Sequence, residues 1–145
     1  MADIYVHHRV SVAPRQWRAV ADAICAGGAA RLAQAGGALY GIWRSQIGRP
    51  RDELTVMTVW PDGDAAQAAD GDTAQAADGD TAQAADGDTA RAADCLLRGV
   101  ADIVGCQSEA MMPTLRPACA DPPRQQGNYA FRWFETPAEH WTEFL

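Results

Sequence analysis

The chain has 145 residues, enough for one domain of ordinary size. Its 19 acidic residues outnumber its 12 basic residues, which are all arginine, and the net charge of −7 arises within residues 63–94. The rest of the chain is neutral and has no basic face, so nucleic acid is not expected as a partner. No apolar run approaches the roughly 20 residues of a membrane span, so no membrane span is expected either.

The N-terminal segment predicts a strand followed by a helix. Apolar and polar residues alternate over 4–12, as in a strand with one buried face. Pro14 suits the first turn of a helix, and apolar residues at helical spacing continue over 17–35. A glycine pair at 27–28 weakens the middle of this helix, and a second pair at 36–37 ends it.

Three further strands and a second helix are predicted. Residues 38–47 and 53–60 are typical of two strands joined by a hairpin connection. Apolar residues at 92, 96, 100 and 103 trace a second amphipathic helix that stops near Gly105. Residues 107–115 form a weaker strand, which Pro113 confines to a sheet edge or a bulge. The order β-α-β-β-α-β predicts an α+β fold, the ferredoxin-like sandwich.

Two helices cover one face of such a four-stranded sheet, and the other face is left bare. Tyr5 lies on the face of the first strand opposite to Val6, and one of two alternating sets in the second strand also points away from the helices. Each set contains an aromatic residue, and an apolar face in water needs a partner. We therefore expect a homodimer in which two sheets pack face to face. The two alternative sets are Leu39, Gly41 and Trp43, or Tyr40, Ile42 and Arg44.

Residues 63–94 consist of four near-identical octads, GDAAQAAD, GDTAQAAD, GDTAQAAD and GDTARAAD. Three interpretations remain open. Alanine, glutamine and arginine favour a helix, whereas each interior glycine costs about 1 kcal/mol. The acidic composition without large apolar side chains is also typical of a disordered linker, and the D-G-D-T segments are a weaker match to a calcium-binding loop. We expect a solvated acidic insert.

The four cysteines, Cys25, Cys95, Cys106 and Cys119, form no C-x-x-C pair. Zinc-ribbon and thioredoxin-like sites therefore lack their main signature. The strand pattern begins at Asp3 and leaves no room for a signal or transit peptide. We expect reduced cysteines, a cytoplasmic location, no metal and no cofactor.

The first strand carries the candidates for a catalytic or binding site. His7 shares its face with Tyr5 and Arg9, and the three would combine an acid/base, a phenol and a fixed cation if that face lines a cleft. His8 points to the opposite face, because neighbouring residues of a strand alternate, and is expected to be a hydrogen-bonded core residue. The sequence contains no phosphate-binding loop and no H-E-x-x-H motif.

The segment GALYGIWRSQIGRPRDELTVMTVWPD at 37–62 resembles the signature hairpin of the NIPSNAP family: a G-x-L-x-G-x-W strand, an x-I-G turn, and a strand that ends in an aromatic residue. The start IYVHHRVSVAPRQW resembles that family's first strand and helix entry, and SEAMMPTLRP at 108–117 resembles its last strand. The resemblance implies a ferredoxin-like fold of the dimeric α/β-barrel type. It assigns no catalytic residue, since the activity of the family is poorly defined.

The C-terminal segment is similar to the N-terminal one. When Tyr129 is set on Tyr5, Trp141 falls on Trp17, so the strand, the turn and the start of the helix recur. The simplest interpretation is a second copy that is cut short, and the alternative is an extension that adds a strand to a neighbouring sheet. The predicted division is a NIPSNAP-like domain at 1–117, a linker at 118–127 and the start of a truncated second copy at 128–145.

Two functions from different classes follow. The first is a NIPSNAP-like oligomerisation or small-ligand-binding protein with no identifiable reaction, whose partners are a second copy of itself and a small molecule. The alternative is an enzyme of the dimeric α/β-barrel group, such as a cofactor-independent monooxygenase or a haem-dependent one that uses His7 or His8. A Soret absorption band after haem addition would favour the haem enzyme.

Overall fold

The structure is a computed structural model that describes residues 3–61 and 81–111, and residues 121–122, 124, 127–130, 132 and 137–140 of the C-terminal segment. Its elements, in chain order, are β1 (Ile4–Val12), α1 (Trp17–Ala23), a π-helical turn (Ile24–Gly28), α2 (Ala29–Gln34), β2 (Ala38–Arg44), β3 (Glu53–Trp60), α3 (Thr81–Leu97), β4 (Ile103–Met111) and a 3-10 turn (Ala138–His140).

The four strands form one antiparallel sheet in the order β2-β3-β1-β4. This order, with the succession β-α-β-β-α-β, is that of the ferredoxin-like α+β fold, so the predicted fold class is confirmed. The helices cover one face of the sheet, and the core between the two layers is apolar because alternate residues of each strand point towards the helices. The core residues are Val6, Val10, Val12, Val20, Ile24, Leu32, Leu54, Val56, Trp60, Ala92 and Leu96.

The first two helices form one helical stretch, and its glycine pair lies in the π-helical turn that joins them. Gly28 allows α3 to approach closely, because a Cβ at this position would lie 2.6 Å from the carbonyl oxygen of Leu96. One turn later, Arg31 donates hydrogen bonds to the carbonyl oxygens of Cys95 (2.8 Å) and Leu96 (3.3 Å). Carbonyls in the last turn of a helix lack helical partners, so Arg31 satisfies the end of α3.

Helix α3 contains most of the last two octads of the repeat. The helical interpretation is therefore confirmed for residues 81–94, whereas residues 62–80 lie outside the described residues. Thr89, Ala92 and Leu96 are buried, and their spacing of three and four residues places them on one side of the helix. Like the other described helices, α3 is not long and apolar enough to cross a membrane.

The second helix and the fourth strand differ from their predicted bounds. The sequence pattern extends the helix to near Gly105, but α3 ends at Leu97 and β4 begins at Ile103. Between them, Gly99 and Asp102 adopt left-handed backbone conformations, with φ of 73° and 63°, which end the helix and turn the chain. The helical spacing is misleading because Ile103 packs against the same core from the strand.

Gly28→Ala is expected to lower the free energy of unfolding by roughly 1–3 kcal/mol, the usual cost of overpacking. The new methyl group would meet the backbone oxygen of Leu96, which cannot rotate away. Gly105→Ala, in β4, is the control, because a Cβ at this exposed position would meet nothing within 4 Å. Removing a glycine from the interior of a strand, worth about 0.5–1 kcal/mol, should leave that variant neutral or stabilised. Urea unfolding followed by tryptophan fluorescence measures both, and equal effects would contradict the close approach of α3.

Candidate functional site

We call the side of the sheet that faces away from the helices the open face. The strand register aligns its residues in rows that cross the sheet from β4 through β1 and β3 to β2. Arg9 and His7 are the β1 members of two neighbouring rows, so they lie side by side at the centre of the open face. The first row is Gln107, Arg9, Thr55 and Trp43, and the second is Glu109, His7, Met57 and Gly41.

A β-bulge in β2 decides which aromatic residues reach the open face. The register between β2 and β3 shifts between Leu39 and Gly41, and an extra residue at a bulge changes the alternation of the strand. Leu39 and Ile42 pack against the core, whereas Tyr40 and Trp43 both lie on the open face. Neither alternating set predicted from the sequence is therefore correct. The Trp43 ring lies over Gly41, where a Cβ would overlap it.

His8 lies on the helix side of β1 and is fully buried. Its Nδ1 is 2.7 Å from the Ser108 hydroxyl on β4, and its Nε2 is 3.2 Å from the Thr58 hydroxyl on β3. Burial, with a smaller effect of neighbouring His7, lowers the pKa of His8 to about 4. His8 is therefore a neutral, hydrogen-bonded core residue, as expected. Because both ring nitrogens have hydrogen-bond partners, His8 does not fit the predicted alternative role of haem ligand.

A cavity of about 680 Å³ opens on the open face beside the β2–β3 hairpin. Its walls come from β1, β3, the end of β2 with the hairpin loop, and residues 127–130 of the C-terminal segment. The rings of Tyr129 and Trp43 meet edge to face, with centroids 5.7 Å apart and an interplanar angle of 69°. The C-terminal segment thus completes an aromatic wall. The lining residues that matter below are His7, Arg9, Trp43, Arg49, Thr55 and Tyr129.

Two ion pairs flank the cavity. Arg9 Nη2 lies 3.5 Å from Glu109 Oε1, and Arg49 Nε lies 3.1 Å from Glu53 Oε1. Burial holds the pKa of His7 below its ordinary value; Glu109 raises that pKa, and Arg9 and Arg49 lower it further. The imidazole of His7 is therefore neutral at pH 7, and the positive charge of this region comes from the arginines.

Two of the three predicted site residues line the cavity. His7 and Arg9 belong to its wall, whereas Tyr5 is not among the lining residues. The Tyr5 ring packs instead against Tyr40, with centroids 5.3 Å apart in a T-shaped arrangement. His7 is only 3% exposed, so neither histidine of β1 presents an accessible ring to a haem iron, and no step through haem is derived.

Sequence reasoning missed the lining residues outside β1. Trp43 belongs to one of the two alternating sets, but strict alternation does not show the bulge that places Tyr40 and Trp43 on the same face. Arg49 lies in the connection GRPRD, where two arginines in a turn were the one available signal. Tyr129 is the counterpart of Tyr5 in the internal similarity, and that similarity does not indicate that Tyr129 packs on β2.

The open face is less bare than the sequence predicts. Tyr5, His7 and Val59 are 5%, 3% and 4% exposed in the single chain, and residues 127–130 lie against the β2 side. The described residues of the C-terminal segment contain no strand, and their regular element is the 3-10 turn. The added strand of the alternative interpretation is therefore not found among them, and the division into a domain, a linker and a second copy stays a prediction.

Within the described part of the chain, no three His, Cys, Asp or Glu side chains lie close enough together to hold a metal ion. Cys25, Cys95 and Cys106 are free thiols. The chemistry of the cavity therefore rests on arginine, a neutral imidazole and aromatic rings.

The sequence matches no protein-family model and no curated protein. The structure, however, is similar to solved structures of NIPSNAP family proteins. An uncharacterized NIPSNAP-like domain protein from Burkholderia xenovorans is 17% identical with a TM-score of 0.52, over 86% of this chain and 96% of that chain. Two NIPSNAP family proteins from Agrobacterium tumefaciens str. C58 are 17% and 16% identical, with TM-scores of 0.47 and 0.48. They match 77% of this chain and 88% and 93% of their own chains, and the first is described as having unknown function. The similarity to the Burkholderia protein, at 17% identity, establishes the fold, and at that level the resemblance to this family is confirmed.

The free energy of unfolding should fall as the pH drops from about 6.5 to about 4. The unfolded chain takes up a proton on His8 near its ordinary pKa of 6.5, whereas the folded chain does so only near 4, so acid favours unfolding by about 3 kcal/mol in total. The contribution of His8 is complete above pH 6.5 and is lost through this window. Urea unfolding at several pH values measures it. His8→Gln should flatten the pH dependence, and His140→Gln, at an exposed position, should not. Parallel pH profiles for all three proteins would contradict the assignment.

Proposed function

We propose that this chain is a small-ligand-binding protein that also forms homodimers through its open face. The ligand-binding part is carried by one observation, the cavity in which Arg9, His7 and the Trp43–Tyr129 wall converge. Small-molecule sites commonly combine an apolar or aromatic wall with a few polar groups that orient the ligand. This function requires no metal and no cofactor.

Thr55→Phe is expected to fill the cavity and to abolish the binding of small molecules, because Thr55 lies between Arg9 and Trp43 in the same row. Saturation-transfer NMR with a mixture of neutral, anionic and cationic fragments measures the binding of small molecules to each protein. Ala90→Phe is the matched control, since it adds the same ring at an exposed position of α3. Binding that survives Thr55→Phe, or a wild-type protein that binds no fragment, would contradict the proposed site.

The homodimer proposal rests on the part of the open face that the chain leaves uncovered. Residues 127–130 lie on the β2 side, whereas Gln107 and Glu109 on β4 are exposed. Met57 is half-buried beside these exposed residues, and an open sheet face of this kind is a natural surface for a second copy. Two ferredoxin-like sheets packed in this way form the dimeric α/β barrel that the sequence resemblance implies.

The full chain and a chain ending at Pro117 are both expected to sediment as dimers at tens of micromolar. The shorter chain should dimerise at least as strongly. Its Trp43 ring, on the same face, is no longer covered by Tyr129 and is free to contact the second copy. Sedimentation equilibrium gives both masses, and circular dichroism checks that the shorter chain is folded. Stable, folded monomers for both chains would refute the dimer.

An enzyme of the dimeric α/β-barrel group is the second candidate function. One observation favours it: His7 lies in the cavity wall with a lowered pKa, and a neutral imidazole acts as a general base where a substrate reaches one of its ring nitrogens. We further propose a cytoplasmic location, which the free thiols of Cys25, Cys95 and Cys106 support.

A further inference from the structure

The cations at the cavity wall are Arg9 and Arg49, and the described lining residues include no Asp or Glu. Arg44 also belongs to the lining, but its guanidinium lies on the helix side, 4.4 Å from the centroid of the Trp17 ring. The acidic ion-pair partners of Arg9 and Arg49 lie outside the lining. The cavity therefore presents guanidinium groups and no carboxylate to a ligand, which favours an anionic one.

The two arginines beside the cavity can accept a further acidic group. A guanidinium has five N–H donors in a planar fork, and one carboxylate contact uses at most two of them. Arg9 and Arg49 have side chains that are 25% and 43% exposed, so part of each remains accessible from the cavity side. Charge-assisted hydrogen bonds from such groups are stronger than neutral ones.

The opposite part of the wall is aromatic. Trp43 and Tyr129 meet edge to face, and Trp43 is held in place by its position over Gly41. Aromatic rings contact other rings favourably in offset and edge-to-face geometries. A volume of about 680 Å³ lies within the range of roughly 300–1,000 Å³ that is typical of small-molecule sites.

We infer that the ligand of this cavity is a small organic anion that carries an aromatic ring, with its acidic group towards Arg9 and Arg49 and its ring against Trp43 and Tyr129. This inference rests on the proposed ligand site and specifies its chemistry. Tyr129 becomes a specificity-determining residue that the C-terminal segment supplies to a site otherwise built on the sheet.

Calorimetric titration with three probes tests the inference on the full chain. Naphthoate carries both the charge and the ring, naphthylmethanol lacks the charge, and cyclohexanecarboxylate lacks the aromatic ring. Naphthoate is expected to bind about tenfold more tightly than either of the others, and its affinity should fall with added salt because the attraction is electrostatic.

Variants separate the two halves of the site. Arg9→Gln should weaken naphthoate about tenfold, the loss of one charge-assisted contact, and leave naphthylmethanol nearly unchanged. Arg18→Gln, at an exposed position of α1, is the matched control. Tyr129→Leu should weaken naphthoate but not cyclohexanecarboxylate, and it is tolerated by the fold because Tyr129 is 44% exposed. Arg49 is unsuitable, since its loss would leave Glu53, with an 11% exposed side chain, without its counter-charge.

Each contrary result has a distinct meaning. Equal affinities for naphthoate and naphthylmethanol, both lost in Thr55→Phe, would overturn the anionic ligand and leave the proposed site intact. Cyclohexanecarboxylate that binds as tightly as naphthoate would overturn the aromatic requirement. Naphthoate binding that persists in both Thr55→Phe and Arg9→Gln would overturn the inference. No binding of any probe, together with a blank fragment screen, would overturn the proposed function as well.

Discussion

The hydrogen bonds of His8 join three strands at the centre of the sheet. Its ring bridges Ser108 on β4 and Thr58 on β3, and Thr58 also accepts a hydrogen bond from the Trp60 indole. All of these bonds lie on the helix side, where a polar group left without a partner costs about 1–3 kcal/mol. A slip of one residue would break them and would exchange the two faces of β1. The rows of the open face follow from the same register, so the position of Arg9 beside Thr55 depends on a histidine that never contacts the cavity.

The two adjacent histidines show how one strand supplies opposite environments. His8 is neutral because it is buried, and His7 is neutral mainly for the same reason, although it faces the cavity. Neither adds positive charge near neutral pH. The positive groups at the cavity wall are therefore Arg9 and Arg49, whose charge does not change over the physiological range.

The sequence predicts the fold well because the alternation of β1 and β3 and the glycine boundaries are strong local signals. It also identifies His8 as a core residue and His7 and Arg9 as neighbours on the other face, since strand geometry alone separates them. The sequence pattern fails at the bulge of β2, because one extra residue changes which side chains share a face, and the residue types there do not indicate it. It fails for Tyr129 because that contact joins segments far apart in the chain.

The C-terminal boundary of the second helix is a further feature that local sequence signals predict incorrectly. The predicted end of the helix near Gly105 is wrong, because the helix and the following strand bury residues in the same core and the apolar spacing continues across the turn. The true boundary is set by the left-handed backbone of Gly99 and Asp102. Glycine in this conformation commonly follows the last turn of a helix, so Gly99 is the sequence signal for the boundary.

Helix α3 packs on the core through Thr89, Ala92 and Leu96, which belong to the last octad and the residues that follow it. Each octad is a whole number of codons, so the gain or loss of one unit in the gene keeps the reading frame. Such events add or remove residues N-terminal to Thr89. The C-terminal part of α3, which packs on the core through Leu96, keeps the same neighbours. A change in the number of octads would therefore alter the length and the acidity of this segment and not the residues that pack on the core.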